Sequence, residues 1–392
     1  MMYLIILLLL LYGIFKYDIN GYRTGQKLFY FVFLVLVLMS AFRYRIGIDT
    51  MRYMDYHKDI YNYSFSQYIV HGFEQTRYQP LWIVYELLIG TISENFFFFQ
   101  FVHSLIINCV IFIFIKKYTR RRFVFLYLYY ILFYFDLNFE ILREGLAVCC
   151  FLLGFKYYLN HNWTKYYICA VTAFFIHISA VIMIIFPLFY VVKINKYTVA
   201  LLVVSFCFLF FNIDLIKQYM VLFYITDSLE SAGEHYINSE LYGSYEGNLF
   251  AYLYKLLPAA VIPLCWIIFF KNKTQGLLQS KMQGLVFLYI ILGTITAVIP
   301  FFSRFSNYLV FILILFYSLS FWLYMQEEKS QVKKIFVTCT FLITVTFFPV
   351  YKFLTPIPIL ESATWSSRYY PYYSIFFPEK DKDREYLYYM NY

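Results

Sequence analysis

The chain is short of charge. Asp, Glu, Lys and Arg make up 14% of its 392 residues, well below the roughly one quarter usual in soluble domains. That deficit excludes an ordinary soluble globule. The usual signatures of chemistry are also missing: there is no phosphate-binding glycine loop, no dinucleotide-binding glycine pattern, no zincin helix and no G-x-S-x-G elbow. The seven cysteines (Cys109, Cys149, Cys150, Cys169, Cys207, Cys265 and Cys339) all fall in apolar runs, and none has metal-ligand spacing. The vicinal pair Cys149-Cys150 reads as small apolar filler rather than a redox pair. No metal and no cofactor is expected. The first apolar run, Met1–Phe15, has no basic n-region and no small-residue cleavage site, so it reads as a retained transmembrane helix. No Gly/Ser linker divides the chain, and no inverted repeat is evident.

What is present is apolar and aromatic. Apolar residues make up 62%, and the mean hydropathy is +0.63. The apolar runs are continuous rather than alternating. In lipid such runs satisfy their backbone groups internally as helices, which disfavours a β-barrel. The fold class is therefore an all-α polytopic integral membrane protein. With 47 Phe and 44 Tyr, aromatics reach 24%, a level suited to interfacial belts and polar vestibules. The net charge of +9 comes largely from short basic links between apolar segments. That is the positive-inside pattern and not a nucleic-acid surface.

Those links set the expected topology. Met1–Phe15 leads to Lys16, Arg23 and Lys27 in the cytoplasm, and Leu28–Phe42 returns outward. A polar loop, Arg43–Pro80, follows. Pro80–Ile92 is too short to cross, since crossing takes roughly 20 residues, and reads as a re-entrant or interfacial helix. Phe96–Ile115 ends at the strongest basic cluster, Lys116 to Arg122, which anchors the cytoplasmic side. Further crossings are expected at Phe123–Phe135, Ile141–Leu159, Tyr166–Ile176, Ser179–Val192, Tyr197–Phe211, Phe250–Phe270, Gly284–Phe302, Phe305–Tyr324 and Ile335–Val350. This gives about twelve transmembrane helices plus the short one. Residues 1–350 form a single transmembrane domain with long external loops at 43–80 and 212–248. Residues 351–392 form a polar, Tyr-rich external tail. The loop at 212–248 is acidic, has no compact cation-ligand spacing, and reads as a solvated external loop.

With this topology several polar residues gather at outer helix ends. They are Arg43, Arg45 and Asp49 after the second helix, Glu140 and Arg143 at the start of a returning helix, His177 at a tight hairpin, and Arg304 at another. Charges near the bilayer tend to line cavities. Arginines clustered on the outer side suit an anion such as a diphosphate, because the guanidinium fork matches phosphate oxygens. Each residue also has a plainer reading. Arg43 and Arg45 fit snorkelling ends of a helix, Arg143 fits a local pairing with Glu140 and Glu144, and His177 fits a hairpin residue with a satisfied ring. Arg143 sits at the positive end of its helix, the wrong end for a cation, so a counter-charge is required.

At these residues the chain resembles the EpsG family of polysaccharide-polymerising membrane proteins, which is similar to Wzy-type polymerases. The motifs are Phe42-Arg43-Tyr44-Arg45-Ile46-Gly47-Ile48-Asp49-Thr50 with Tyr53 following, Tyr78-Gln79-Pro80-Leu81-Trp82, Arg143-Glu144-Gly145-Leu146-Ala147, and Phe174-Phe175-Ile176-His177-Ile178-Ser179-Ala180. Their order and spacing follow the family's R-x-G-x-D…Y, E-P-x-[FW], R-[QE]-x-[IL]-A and F-H-x-[ST]-A. Two positions depart: Gln79 stands where Glu is usual, and Glu144 where Gln is common. The resemblance implies a fold like the multispan C-type glycosyltransferases, in the bacterial inner membrane. It also implies polymerisation of repeat units carried on undecaprenyl diphosphate, for capsule, exopolysaccharide or O-antigen, with membrane lipid and polysaccharide export or chain-length proteins as partners and no nucleic acid. On that reading Arg143 and Arg304, helped by Arg43 or Arg45, hold the diphosphate. His177, Asp49 or Glu140 serves as the base or orients the acceptor. The alternatives are a membrane O-acyltransferase modifying a surface glycan and a lipid-linked glycan transporter.

Overall fold

The apolar runs form helices that present apolar side chains outward. Helix α1 (Met2–Gly13) buries Ile6 and Leu10 on one side and exposes Leu4, Ile5 and Leu8 on the other. Exposed large apolar residues recur on most of the long helices, a distribution that suits lipid rather than water. The computed structural model describes residues 2–19, 25–60, 67, 78–212, 249–270, 277–357 and 360–391. Among these, six helices are long and apolar enough to cross a membrane: Met2–Ile19, Phe96–Tyr118, Tyr252–Phe270, Ser280–Ala297, Ser303–Glu327 and Gln331–Leu354. Other apolar helices, such as Gln26–Ala41 and Arg122–Leu132, are shorter.

The chain divides into two compact units, Met1–Ile184 with Met325–Tyr392, and Ile185–Tyr324. The first contains α1, α2 (Gln26–Ala41), α3 (Ile48–Ile60), α4 (Pro80–Gly90), α5 (Phe96–Tyr118), α6 (Arg122–Leu132), α7 (Leu142–Leu159) and α8 (Trp163–Phe174). Ring contacts join them. Phe29 and Phe33 of α2 lie 4.8 and 4.9 Å from Phe112 of α5, and Phe114 lies 5.6 Å from Phe155 of α7. Helix α6 starts without a capping side chain of its own. Asp18 supplies one from a distance, accepting the Val124 N–H at 2.8 Å. Before its basic last turn, helix α5 is largely apolar and carries a buried stripe of Gln100, His103, Ser104 and Asn108. Gln100 Nε2 donates to the carbonyls of Ala41 and Arg43 at 2.7 and 2.9 Å, satisfying the C-terminal end of α2. Asn108 donates to Asn138 Oδ1 at 2.8 Å, tying α5 to the turn before α7.

In the second unit, α9 (Lys196–Phe211) opens on a reciprocal cap between Asn195 and Thr198. After it come α10 (Leu249–Leu256), α11 (Ile262–Phe270), α12 (Leu277–Val298) and α13 (Ser303–Glu327). Two glycines of α12 let backbones meet. A Cβ on Gly284 would fall 1.6 Å from the Phe189 carbonyl oxygen, and one on Gly293 would fall 2.3 Å from that of Ala259.

Several expected boundaries move. The loop from Arg43 to Pro80 begins with helix α3, and most of the chain from 61 to 77 lies outside the described residues. So does 213–248, where the acidic loop was expected. The helix expected from Ile141 starts at Leu142, and Glu140 belongs to a wide turn, Asp136–Glu140, that precedes it. The crossing expected at Ser179–Val192 is a 3₁₀ helix, Ile178–Val191. Helix α14 (Gln331–Leu354) returns the chain to the first unit. The Tyr-rich C-terminal segment is folded. Strands β1 (Pro356–Ile357) and β2 (Leu360–Thr364) pair antiparallel, a short 3₁₀ turn spans Trp365–Arg368, and α15 (Lys382–Asn391) follows.

Candidate functional site

Helix α3 organises the site. Just before it, Gly47 adopts φ +89°, and a Cβ there would fall 2.0 Å from the Phe139 carbonyl oxygen. Only glycine allows that approach, so the chain from Arg43 to Gly47 lies directly against the turn Asp136–Glu140. Two bonds fix the contact. Thr50 Oγ1 donates to the Phe139 carbonyl at 2.5 Å, and Glu140 Oε2 accepts the Asp49 N–H at 2.9 Å. Glu140 thus caps the first turn of α3, where an anion is favoured. Its Oε1 lies 3.0 Å from Arg368 Nε of the C-terminal segment. The Glu140 side chain is 5% exposed and that of Arg368 is 15% exposed. Burial pushes the Glu140 carboxyl up to about 7; the Arg368 charge opposes this, and the Asp49 charge adds to it.

One turn along α3, Tyr53 lies on the same face as Asp49. Its hydroxyl accepts from Arg143 Nε at 3.1 Å. Arg143 is the second residue of α7 and is half-buried. Gln79 Oε1 accepts from Arg143 Nη1 at 3.3 Å, and the guanidinium lies 4.3 Å from the centre of the Tyr78 ring. Hydroxyl, amide and ring contacts from Tyr53, Gln79 and Tyr78 help to orient this cation. Trp82 of α4 is fully buried, its ring centre 5.7 Å from that of Tyr53.

The other sequence-predicted residues separate into different situations. Arg43 is fully buried. It donates to the Ser40 carbonyl and to Thr50 Oγ1 and lies over the Phe139 ring at 5.0 Å, so it braces the loop and offers no face to a ligand. Burial pulls its guanidinium down to about 10. Arg45, with φ +49°, donates through Nε and Nη2 to both carboxylate oxygens of Glu385 in α15, at 2.5 and 2.6 Å. Both arginines tie the loop to its neighbours here. His177 is buried at the end of the turn after α8. Its Nδ1 receives the Ser179 N–H at 3.3 Å and lies 2.6 Å from Ser179 Oγ. A backbone N–H can only donate, so the ring proton sits on Nε2. That makes His177 a turn-capping group, linked to α4 through the Leu81 N–H to Phe175 carbonyl bond of 2.9 Å. Arg304 is the second residue of α13 in the second unit, after the 3₁₀ turn Pro300–Phe302, and is partly exposed.

The sequence reading missed the C-terminal residues. Arg384 is 1% exposed and donates to the carbonyls of Ser367, Arg45 and Pro371 at 3.1, 3.1 and 2.8 Å. Tyr388 donates to Asp55 of α3 at 2.6 Å, and Tyr369 donates to Asp136 at 3.1 Å. No local pattern marks Arg368 or Arg384; the only signal is that arginines stand in a segment with no apolar period. Beside Tyr369 lies an apolar cavity of about 280 Å³, bounded by α1, α6 and α14 and lined by Leu4, Leu7, Ile131, Phe353 and Leu354. Among the described residues no group of His, Cys, Asp and Glu is placed to hold a metal ion.

No curated protein and no solved structure matches the chain. A family model does. The model described as the EpsG family matches residues 26–374, a span that runs from α2 through Arg368 and takes in Asp49, Gln79, Glu140, Arg143 and His177. The chain is a membrane protein, and it belongs to the EpsG family.

Proposed function

We propose that the protein polymerises oligosaccharide repeat units carried on undecaprenyl diphosphate, at the outer leaflet of the bacterial inner membrane. Twelve crossings, with α3, α4 and the C-terminal segment on the outer side, and a likeness to C-type glycosyltransferases belong to this reading. One observation carries it: a half-buried arginine, Arg143, held in a fixed pose by Tyr53, Tyr78 and Gln79, with Asp49 one turn from Tyr53 on the same helix face. Family membership supports the reaction class.

In the transfer, the acceptor sugar hydroxyl attacks the anomeric carbon of the donor chain. Its proton passes to the Asp49 carboxylate as the new carbon–oxygen bond forms. The bond from the anomeric carbon to the diphosphate breaks, and its electron pair leaves on the diphosphate oxygen. Arg143 stabilises that charge with a guanidinium already oriented, so little reorganisation is needed at the moment of transfer. Glu140 fixes the backbone of Asp49, and Arg368 fixes Glu140. His177, with its proton on Nε2, holds the turn against α4. The polyprenyl chain lies along apolar surface of the kind that lines the cavity beside Tyr369.

Chain length in cells tests the reading. Arg143→Ala and Asp49→Asn are expected to remain in the membrane while the surface glycan is reduced to single, unpolymerised units. Normal long chains in both variants would overturn it.

A further inference from the structure

The apolar cavity beside Tyr369 stands apart from the reacting groups. None of Asp49, Tyr53, Gln79 or Arg143 lines it, and none of its lining residues is charged. Its tyrosines present their rings, because their hydroxyls are engaged elsewhere. Tyr3 donates to the Tyr369 carbonyl at 2.7 Å, Tyr130 donates to the Tyr3 carbonyl at 3.1 Å, and Tyr369 donates to Asp136 at 3.1 Å. Ser366, also in the wall, has its Oγ 2.6 Å from Thr364 Oγ1. A space of about 280 Å³ walled in this way offers water few partners and suits hydrocarbon.

The cavity is open to lipid. Leu4 of α1 and Val350 and Leu354 of α14 belong to its wall and are also exposed. Both helices lie in segments long and apolar enough to cross a membrane. A lipid chain therefore enters from the side, between helices, without passing through water.

Beside the cavity stands a cation. Lys352, in the last turn of α14, precedes the lining residue Phe353, and Trp365 precedes the lining residue Ser366. Lys352 Nζ lies 5.2 Å from the centre of the Trp365 ring, and the Arg368 guanidinium lies 5.7 Å from the same ring. Glu140 meets the Arg368 charge. Among the described residues no carboxylate stands within ion-pair distance of Lys352. An apolar cavity with an uncompensated lysine at its edge matches a molecule that is hydrocarbon at one end and phosphate at the other.

We infer that this cavity seats an acyl chain of an anionic glycerophospholipid, with Lys352 at the lipid phosphate. The site does not rest on the polymerase reading. There the substrate's diphosphate lies at Arg143 on α7, a helix that lends nothing to the cavity wall. The bound phospholipid is thus a partner of the fold and not a reactant. Its chain packs against Tyr369, which holds Asp136 at the start of the turn that carries Glu140.

Native mass spectrometry of the full chain in detergent tests the site, with equal amounts of phosphatidylglycerol and phosphatidylcholine bearing the same acyl chains. The wild type is expected to retain lipid and to favour phosphatidylglycerol about fivefold, the worth of one lysine near a lipid phosphate. Lys352→Gln is expected to retain lipid without that preference. Leu7→Trp fills the cavity and is expected to lose the retained lipid. Leu354→Trp, at an exposed part of the wall, gives the same reading if the first variant fails to fold. Equal retention of the two lipids by the wild type, a preference that survives Lys352→Gln, or undiminished retention in the cavity-filling variants overturns the inference. A polyprenyl phosphate added in equal amount is expected to leave the phosphatidylglycerol in place. Displacement that Leu7→Trp abolishes would give the cavity to the substrate's chain and overturn the phospholipid assignment.

Discussion

Arg368 Nε lies 3.0 Å from Glu140 Oε1, which joins the C-terminal segment to the turn before α7. Through its other oxygen Glu140 holds the N–H of Asp49. Three segments far apart in sequence therefore meet on one carboxylate. Removing one partner leaves the other charge buried without its mate, at a cost of roughly 3 kcal/mol. Glu140→Ala and Arg368→Ala are each expected to lower the unfolding midpoint in detergent. The double variant is expected to lose clearly less than the sum. Additive losses would show that the two residues act independently.

The pH dependence of chain elongation follows from the same carboxyl. Burial raises Glu140 to about 7, so at lower pH it is increasingly protonated and neutral. The neutral form gives up the charge pair with Arg368. Elongation by the wild type is therefore expected to be weak at acid pH and to rise as pH climbs through about 7. Glu140→Gln imitates the neutral form at every pH and is expected to be slow throughout, without that rising limb. A rising limb that persists in Glu140→Gln assigns the titration to another group.

The C-terminal helix is expected to rank its contacts by burial. Arg384 is buried and serves three carbonyls, so Arg384→Ala leaves several acceptors unsatisfied and is expected to cost about 3 kcal/mol. The Arg45–Glu385 pair is partly exposed, at 10% and 15%, and Glu385→Ala is expected to cost about 1 kcal/mol. Amide hydrogen exchange across residues 43–57 reads both. Protection there is expected to fall far more in Arg384→Ala. Equal protection in the two variants would detach this helix from α3.

Gly47→Ala tests the closest backbone approach in the site. The new Cβ would fall 2.0 Å from the Phe139 carbonyl oxygen, at a φ of +89° that alanine rarely adopts. A loss of about 2 kcal/mol or more is expected, with elongation falling because Asp49 and Glu140 are driven apart. Wild-type stability and rate would mean that the loop does not sit against the turn.

The membrane helices were legible because continuous apolar runs admit one backbone solution in lipid. The motif residues were legible for a different reason: Asp49, Gln79, Glu140 and Arg143 each lie at a helix start or turn, where short patterns recur. Helix α3 was hidden because its sequence is polar, although Ile48, Met51, Tyr53 and His57 keep a buried side. The polar stripe Gln100, His103, Ser104 and Asn108, at spacings of three and four, was a readable sign that one face of α5 meets backbone carbonyls. The uses of Arg43, Arg45, Arg368 and Arg384 were not readable. Whether an arginine faces a ligand or a carbonyl depends on which distant segment folds over it, and no local pattern encodes that.

The most direct measurement places purified protein in lipid vesicles with a polyprenyl-diphosphate oligosaccharide and resolves the products by length on a gel. The expected result is a ladder of lengthening chains from the wild type, with little or none from Arg143→Lys, which keeps the charge but loses the fork. No lengthening by the wild type would contradict the account, as would an undiminished ladder from Arg143→Lys.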